Sequence, residues 1–319
     1  MTRKPRLLQN GKLPQPTLEP RLAAEFDLHR LHDEPERAAF LTAHGHEFDA
    51  VVTSAPVGAD AALIDALPNL KLIAGFGVGF DKVDRDAALK RGVRVSYTPD
   101  VLNDCVADLA FALLLDVARG LSASDRFVRR GAWLQGRFPI MTKVSGKRLG
   151  VLGFGRIGRA VAQRASGFGM QVGYSNLEPV ADVSYLYQRS ALELARWCDF
   201  LVVTVAGGPA TRRLVDRGML DALGPAGFLI NVSRGTVVDE AALVQALVER
   251  RIAGAGLDVF EDEPRVPAAL LGLDHVVLTP HIASGTAETR AAMADLVIEN
   301  LRSFFSSGTL KTPVPWSPT

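Results

Sequence analysis

The sequence predicts an α/β protein of two doubly wound parallel-sheet domains with a cleft between them. Three observations predict it. The chain has 319 residues, and at roughly 150 residues per domain that length suits two domains. Short apolar runs alternate with helical stretches, which is the rhythm of βαβ units. A G-x-G-x-x-G run, Gly153 to Gly158, stands between one such apolar run and one such helix.

In chain order, the first twenty residues carry four prolines, Pro5, Pro14, Pro16 and Pro20, and read as an extended lead-in. Phe48–Ser54, Leu70–Ala74 and Val93–Tyr97 read as strands, and Ala61–Leu67 as a short helix closed by Pro68. Val101–Arg119 reads as one long helix. Its Val106–Val117 stretch is apolar nearly all round, broken only by Asp108 and Asp116, as expected of a helix at a domain or subunit contact. A second series follows, with strands at Leu149–Gly153, Gln171–Tyr174, Phe200–Val205, Phe228–Val232, Gly256–Val259 and Val276–Leu278. Helices fit between them at Arg156–Phe168, Ala191–Trp197 and Asp239–Arg250, and a last helical pattern covers Thr286–Phe305. These place one domain at 1–100 plus 288–319 and the other at 101–287, two Rossmann-like halves.

Composition narrows the function. The 36 basic and 35 acidic residues leave a formal charge of +1, which argues against a sequence-independent grip on nucleic acid. Hydrophobic residues at 48% and charged residues at 22% exclude a mostly disordered chain. No uncharged apolar run approaches the ~18 residues that cross a membrane, and the basic start lacks the apolar stretch of a secretory signal. The two cysteines, Cys105 and Cys198, form no metal-type cluster and point to a reducing compartment. A cytoplasmic protein is the expectation.

The glycine run carries the first chemistry. Gly153 permits a tight turn, Gly155 lets backbone approach a pyrophosphate, and Gly158 lets the helix pack closely on the strand. The helix N-terminus offers N–H groups to the anion. The turn residues Gly153, Phe154, Gly155, Arg156, Ile157 and Gly158 are therefore the cofactor-binding candidates. A glycine-rich turn can also be purely structural; the correct flanks favour the dinucleotide. The next strand ends Ser175-Asn176-Leu177, with no acid before Glu178. A carboxylate there would repel a 2′-phosphate, whereas Ser175 and Asn176 can donate to one. NADP is favoured, with NAD as the alternative; Arg156 or Arg189 would supply positive charge.

Three later segments each follow a predicted strand: N-V-S-R-G at 231–235, L-D-V-F-E-D-E-P at 257–264 and L-T-P-H-I-A-S at 278–284. Together they offer an arginine fork for a carboxylate, an acid, and a histidine able to pass a proton near neutral pH. Singly, each has a plainer explanation: a solvated arginine, an acidic surface loop, a satisfied core histidine. Their succession beyond a dinucleotide turn favours the sharper one.

With F-G-V-G-F-D at 76–81, T-P-D-V-L-N-D at 98–104 and V-S-G-K-R-L-G at 144–150, these motifs resemble the D-isomer-specific 2-hydroxyacid dehydrogenases. The likeness covers nearly the whole chain, and the motifs are most similar to the glyoxylate/hydroxypyruvate reductase branch. The resemblance implies that Arg234 binds the substrate carboxylate and polarises the C2 carbonyl. It makes His281 the general acid in reduction and Glu263 its orienting partner. It assigns the backbone amides of Val78 and Gly79 to the substrate carboxylate, and sets Asp258 at the nicotinamide side, where the plainer alternative is a turn cap. Val232, Ser233 and His281 complete the cofactor-binding candidates. A homodimer formed through 101–119 and the Trp133 region is implied, as is closure of the cleft over a small 2-oxo acid. Two other readings remain open at this stage: a phosphoglycerate dehydrogenase-like enzyme and a dinucleotide-sensing corepressor-like binding protein.

Overall fold

A computed structural model describes residues 3–317. The chain divides into two compact units, Met1–Leu102 with Thr286–Thr319, and Asn103–Gly285.

In the first unit the strands are β1 (Arg6–Asn10), β2 (Asp27–Arg30), β3 (Ala50–Ser54), β4 (Leu72–Phe76) and β5 (Arg94–Ser96). The helices are α1 (Leu18–Glu25), α2 (Arg37–His44), α3 (Ala61–Asp65) and α4 (Arg85–Lys90). All strands are parallel, in the order β2-β1-β3-β4-β5. The expected extended lead-in is wrong: it contains β1, an interior strand, and the start of α1. Leu7 and Leu8 are fully buried, but so is Gln9, and Asn10 is nearly so. Polar residues inside the sheet hide the apolar run that usually betrays a parallel strand.

The second unit begins with α5 (Asn103–Arg119) and α6 (Leu121–Arg129). Then come β6 (Arg148–Leu152), α7 (Arg156–Ser166), β7 (Gln171–Ser175), β8 (Leu186–Tyr187), α8 (Ala191–Trp197), β9 (Phe200–Val203) and α9 (Arg217–Leu223). The unit closes with β10 (Phe228–Asn231), α10 (Glu240–Val248), β11 (Gly254–Leu257), α11 (Ala268–Leu271) and β12 (Val276–Leu278). The sheet order is β12-β11-β10-β9-β6-β7-β8, again parallel throughout. The order reverses between β6 and β9, the switch point at which doubly wound sheets bind ligands. The last helix, α12 (Ala287–Ser307), returns to the first unit and lies against β4.

Helix α5 is seated on its own unit. It packs on α7, β10 and β11 of its own unit, burying Val106, Ala110, Phe111, Leu113, Leu114 and Val117. Several exposed apolar side chains come just after it: Leu121, Val128, Trp133, Leu134 and Ile140. The boundaries of most other helices are legible because side chains cap them. Asp60, Asp84, Ser190, Asp216, Asp239 and Thr286 each accept the N–H three residues on, each cap contributing about 1 kcal/mol.

The two sheets share one fastening. Asp49, just before β3, accepts the N–H of Arg6 at the start of β1 (3.0 Å). Asp199, just before β9, accepts the N–H of Arg148 at the start of β6 (2.9 Å), and the Arg148 guanidinium closes on it (2.8 Å). Burial pushes both carboxyls up, but these donors outweigh it and hold both below the ordinary aspartate range.

Beside Asp199 lies Cys198, buried at 4% exposure. Burial first, and the Asp199 charge second, push its thiol up to about 12. The native state therefore keeps a proton that the unfolded chain begins to lose near the ordinary thiol pKa of about 8.5. Stability from this group is complete below that value and is lost as pH rises toward 12. A chromogenic thiol reagent at pH 8 is expected to leave Cys198 untouched in the native protein and to modify it on unfolding, since the thiolate is the reactive form. Equal labelling rates in the two states would contradict this burial.

Candidate active site

The glycine turn sits between β6 and α7. Gly153 has φ +94, and a Cβ there would meet the Val205 backbone nitrogen at 2.7 Å; a Cβ on Gly158 would strike the Gly153 carbonyl oxygen at 2.3 Å. At Gly155, by contrast, a Cβ would meet nothing within 4 Å. Gly155 is also the N-cap of α7 and brings no side chain to it. The eleven-residue helix thus starts without a side-chain cap and with open space beside Gly155, which suits a pyrophosphate. Phe154 differs from the other turn residues. Its side chain is buried against Tyr174, with ring centroids 4.4 Å apart, and its N–H goes to Asn176 Oδ1 (3.2 Å). That bond commits the Phe154 amide to Asn176 and not to an anion.

That bond also orients Asn176. With Oδ1 committed inward, its Nδ2 is the donor left for a ligand. Ser175 is buried beside it, and Leu177 is fully exposed. Arg156 and Arg189 are both exposed side chains.

The strand ends of β10, β11 and β12 lead into loops carrying Arg234, Glu263 and His281. His281 Nδ1 lies 2.7 Å from Glu263 Oε2, both side chains about one-third exposed. Burial raises the Glu263 carboxyl. The hydrogen bond and charge of His281, the Phe260 N–H (3.1 Å) and the Arg234 charge outweigh this and hold it below the ordinary range. An ionised carboxylate only accepts, so the proton on the shared edge belongs to Nδ1, and Nε2 is left to exchange one. His281 has φ +53, a left-handed backbone that few side chains adopt.

The acidic run 261–263 resolves into three separate fates. Glu261 pairs with Arg212 (3.0 Å), Asp262 with Arg265 (2.6 Å) and Glu263 with His281. Arg234 is half-buried and donates from Nη1 to the Ser233 carbonyl (2.8 Å). Val232 and Ser233 are buried, the Ser233 hydroxyl donating to Asn231 Oδ1 (3.1 Å). Asp258 is fully buried, and its carboxylate is taken up by the loop that bears His281. In the first unit, Val78 and Gly79 occupy the turn after β4, half-buried. Among the described residues, no intramolecular acceptor takes either amide. Asn231 was missed as a site residue; its signal is a polar residue ending the apolar strand F-L-I-N.

Among the described residues no helix is long and apolar enough to cross a membrane. A model of the D-isomer specific 2-hydroxyacid dehydrogenase NAD binding domain matches residues 111–283. The chain is 50% identical over 297 residues to hydroxyphenylpyruvate reductase of Plectranthus scutellarioides, covering 93% of this chain and 95% of that one. It is 49% identical to glyoxylate/hydroxypyruvate reductase A of Arabidopsis thaliana, with the same coverage. A crystal structure of an NADPH-dependent glyoxylate/hydroxypyruvate reductase from Sinorhizobium meliloti, in complex with NADP and malonate, superposes with a TM-score of 0.93 at 43% identity. The match covers 99% of this chain and 98% of that one.

Proposed function

Because the chain belongs to the D-isomer-specific 2-hydroxyacid dehydrogenase family, we propose that this oxidoreductase reduces a small 2-oxo acid of the glyoxylate or hydroxypyruvate type to the D-2-hydroxy acid. NADPH is the favoured reductant and NADH the alternative. The observation that carries the proposal is the 2.7 Å His281–Glu263 pair, which joins the loops after β12 and β11, the latter strand being the neighbour of β10, whose loop holds Arg234.

Gly155, Arg156 and Ile157 would hold the dinucleotide's pyrophosphate, and Ser175 and Asn176 its ribose 2′-phosphate. The chemistry the dinucleotide supplies when bound is two-electron reduction at C2 of the oxo acid. The protein's own residues do the rest. Arg234 binds the carboxylate through its planar fork and draws charge toward the carbonyl oxygen. His281 holds a proton at Nε2 and delivers it to that oxygen as negative charge develops. Glu263 keeps the ring turned and stabilises it while it is cationic. Val78 and Gly79 offer amides to the carboxylate. NADP is supported by the lack of any acid at the end of β7 before Glu178 and by the named reductant of the Sinorhizobium enzyme.

We also read the protein as cytoplasmic and homodimeric. Neither cysteine forms a disulfide, as in a reducing compartment. The apolar side chains at Trp133, Leu134 and Ile140 are two-thirds exposed or more, as at subunit contacts.

One experiment on the purified protein tests these readings. Glyoxylate, hydroxypyruvate, pyruvate and 4-hydroxyphenylpyruvate are each assayed with NADPH and NADH, and the sample is sized by gel filtration. Turnover of the two small acids with NADPH ahead of NADH, at twice the chain's mass, is expected. No turnover of any 2-oxo acid would end the functional proposal. A preference for NADH would overturn the cofactor reading, and elution as a monomer would remove the dimer.

A further inference from the structure

Arg234 and His281 come from loops after different strands, so something must fix their mutual register. Two buried residues whose hydrogen bonds reach the backbone of both loops are placed to do so. Asn231, the last residue of β10, is 1% exposed, and Asp258, the first residue after β11, is 0% exposed. Every polar group of Asp258 and three of Asn231 are engaged. Asn231 Nδ2 donates to the carbonyl of Arg234 (3.0 Å), and its Oδ1 accepts the Ser233 N–H and hydroxyl (both 3.1 Å). The Asn231 carbonyl accepts the N–H of Asp258 (3.0 Å), and the Asp258 carbonyl accepts the N–H of His281 (2.9 Å). Asp258 Oδ1 accepts the Thr279 hydroxyl (2.7 Å) and the Ile282 N–H (2.8 Å), and Oδ2 the Ala283 N–H (2.9 Å).

This unbroken path runs from the backbone of Arg234 to the backbone on both sides of His281. It explains how a histidine is kept at φ +53, a conformation that persists only where its surroundings over-determine it. It also gives a reason for a carboxylate in a site that burial makes unfavourable to charge: fully satisfied buried networks rigidify what they connect.

We propose that Asn231 and Asp258 are the positioning residues of this active site, holding the Arg234 and His281 loops in one fixed arrangement. The reaction they serve rests on the function proposed above, but the positioning itself does not.

The test uses the full chain with Asp258→Asn and Asn231→Ala. Amide hydrogen exchange without ligand is read first. An amide at 258 cannot accept from all three donors, so protection at Ile282 and Ala283 is expected to fall by about tenfold or more, with β10 and β12 protected as before. In steady-state kinetics kcat is expected to fall about tenfold or more, while the dissociation constant of NADPH stays within about twofold of the parent. Unchanged exchange at 282 and 283 would overturn the proposal. So would a dinucleotide affinity weakened with kcat intact, the signature of a cofactor contact, or a lowered Tm with kcat per folded molecule unchanged. If Asp258→Asn does not fold, Thr279→Val removes one donor only and is expected to loosen the same two amides. A parent protein without reductase activity would end the function proposed above and leave the exchange result standing.

Discussion

Replacing His281 by alanine is expected to lower kcat for 2-oxo acid reduction by about 10²-fold or more, the usual worth of a positioned general acid. KM for the oxo acid should change far less, because the proton moves in the transition state and is not needed to bind the ground state. The substitution needs a companion. Residue 281 has φ +53, a region in which asparagine is among the better-tolerated side chains, so His281→Asn separates loss of the imidazole from disturbance of the turn. Both variants should lose turnover alike. Activity of either within about threefold of the parent, at the pH optimum of the parent, would contradict proton delivery by this ring.

The second large effect is expected at Arg234. Removing one partner of a hydrogen-bonded charge pair costs about 2–5 kcal/mol, and at about 1.4 kcal/mol per factor of ten Arg234→Ala should lower kcat/KM by about 30- to 3,000-fold. The loss should divide between the two constants. KM for the oxo acid rises as carboxylate binding is lost, and kcat falls because the guanidinium also answers the charge that grows on the carbonyl oxygen. Arg234→Lys keeps the charge but not the planar fork, and should recover only part of the loss. KM for NADPH should be unaffected in both. A variant with an unchanged KM for glyoxylate would place the substrate carboxylate elsewhere.

Much of this site was legible in the amino-acid sequence, for identifiable reasons. Parallel strands buried on both faces are written as apolar runs, so F-L-V-V at 200–203 and F-L-I at 228–230 could be read directly. The glycine turn was legible because close backbone approach excludes side chains. What lay hidden was polar. β1 carries Gln9 and Asn10 inside the sheet, where Asn10 Nδ2 reaches the Gly58 carbonyl (2.8 Å) and Gln9 Nε2 reaches Glu19 (3.1 Å). No local pattern announces partners so distant along the chain. The role of Asn231 was hidden for the same reason, since a residue that acts through backbone groups of other loops leaves no motif of its own. Leu113 and Val117 of α5 lie against Gly256 and Gly254 of β11, a partner that periodicity could not name, because an all-round apolar helix looks alike whether it covers its own sheet or another surface.

The first unit is assembled from both ends of the polypeptide, residues up to Leu102 and those from Thr286 onward. Met293, Val297, Ile298 and Leu301 of α12 are almost wholly buried, and this helix covers β4. A ribosome therefore releases every residue of the contiguous 103–285 unit before it releases the helix that covers β4. The unit that holds β1 to β5 is therefore completed only after the other has been made, and until then β4 lacks the helix that covers it.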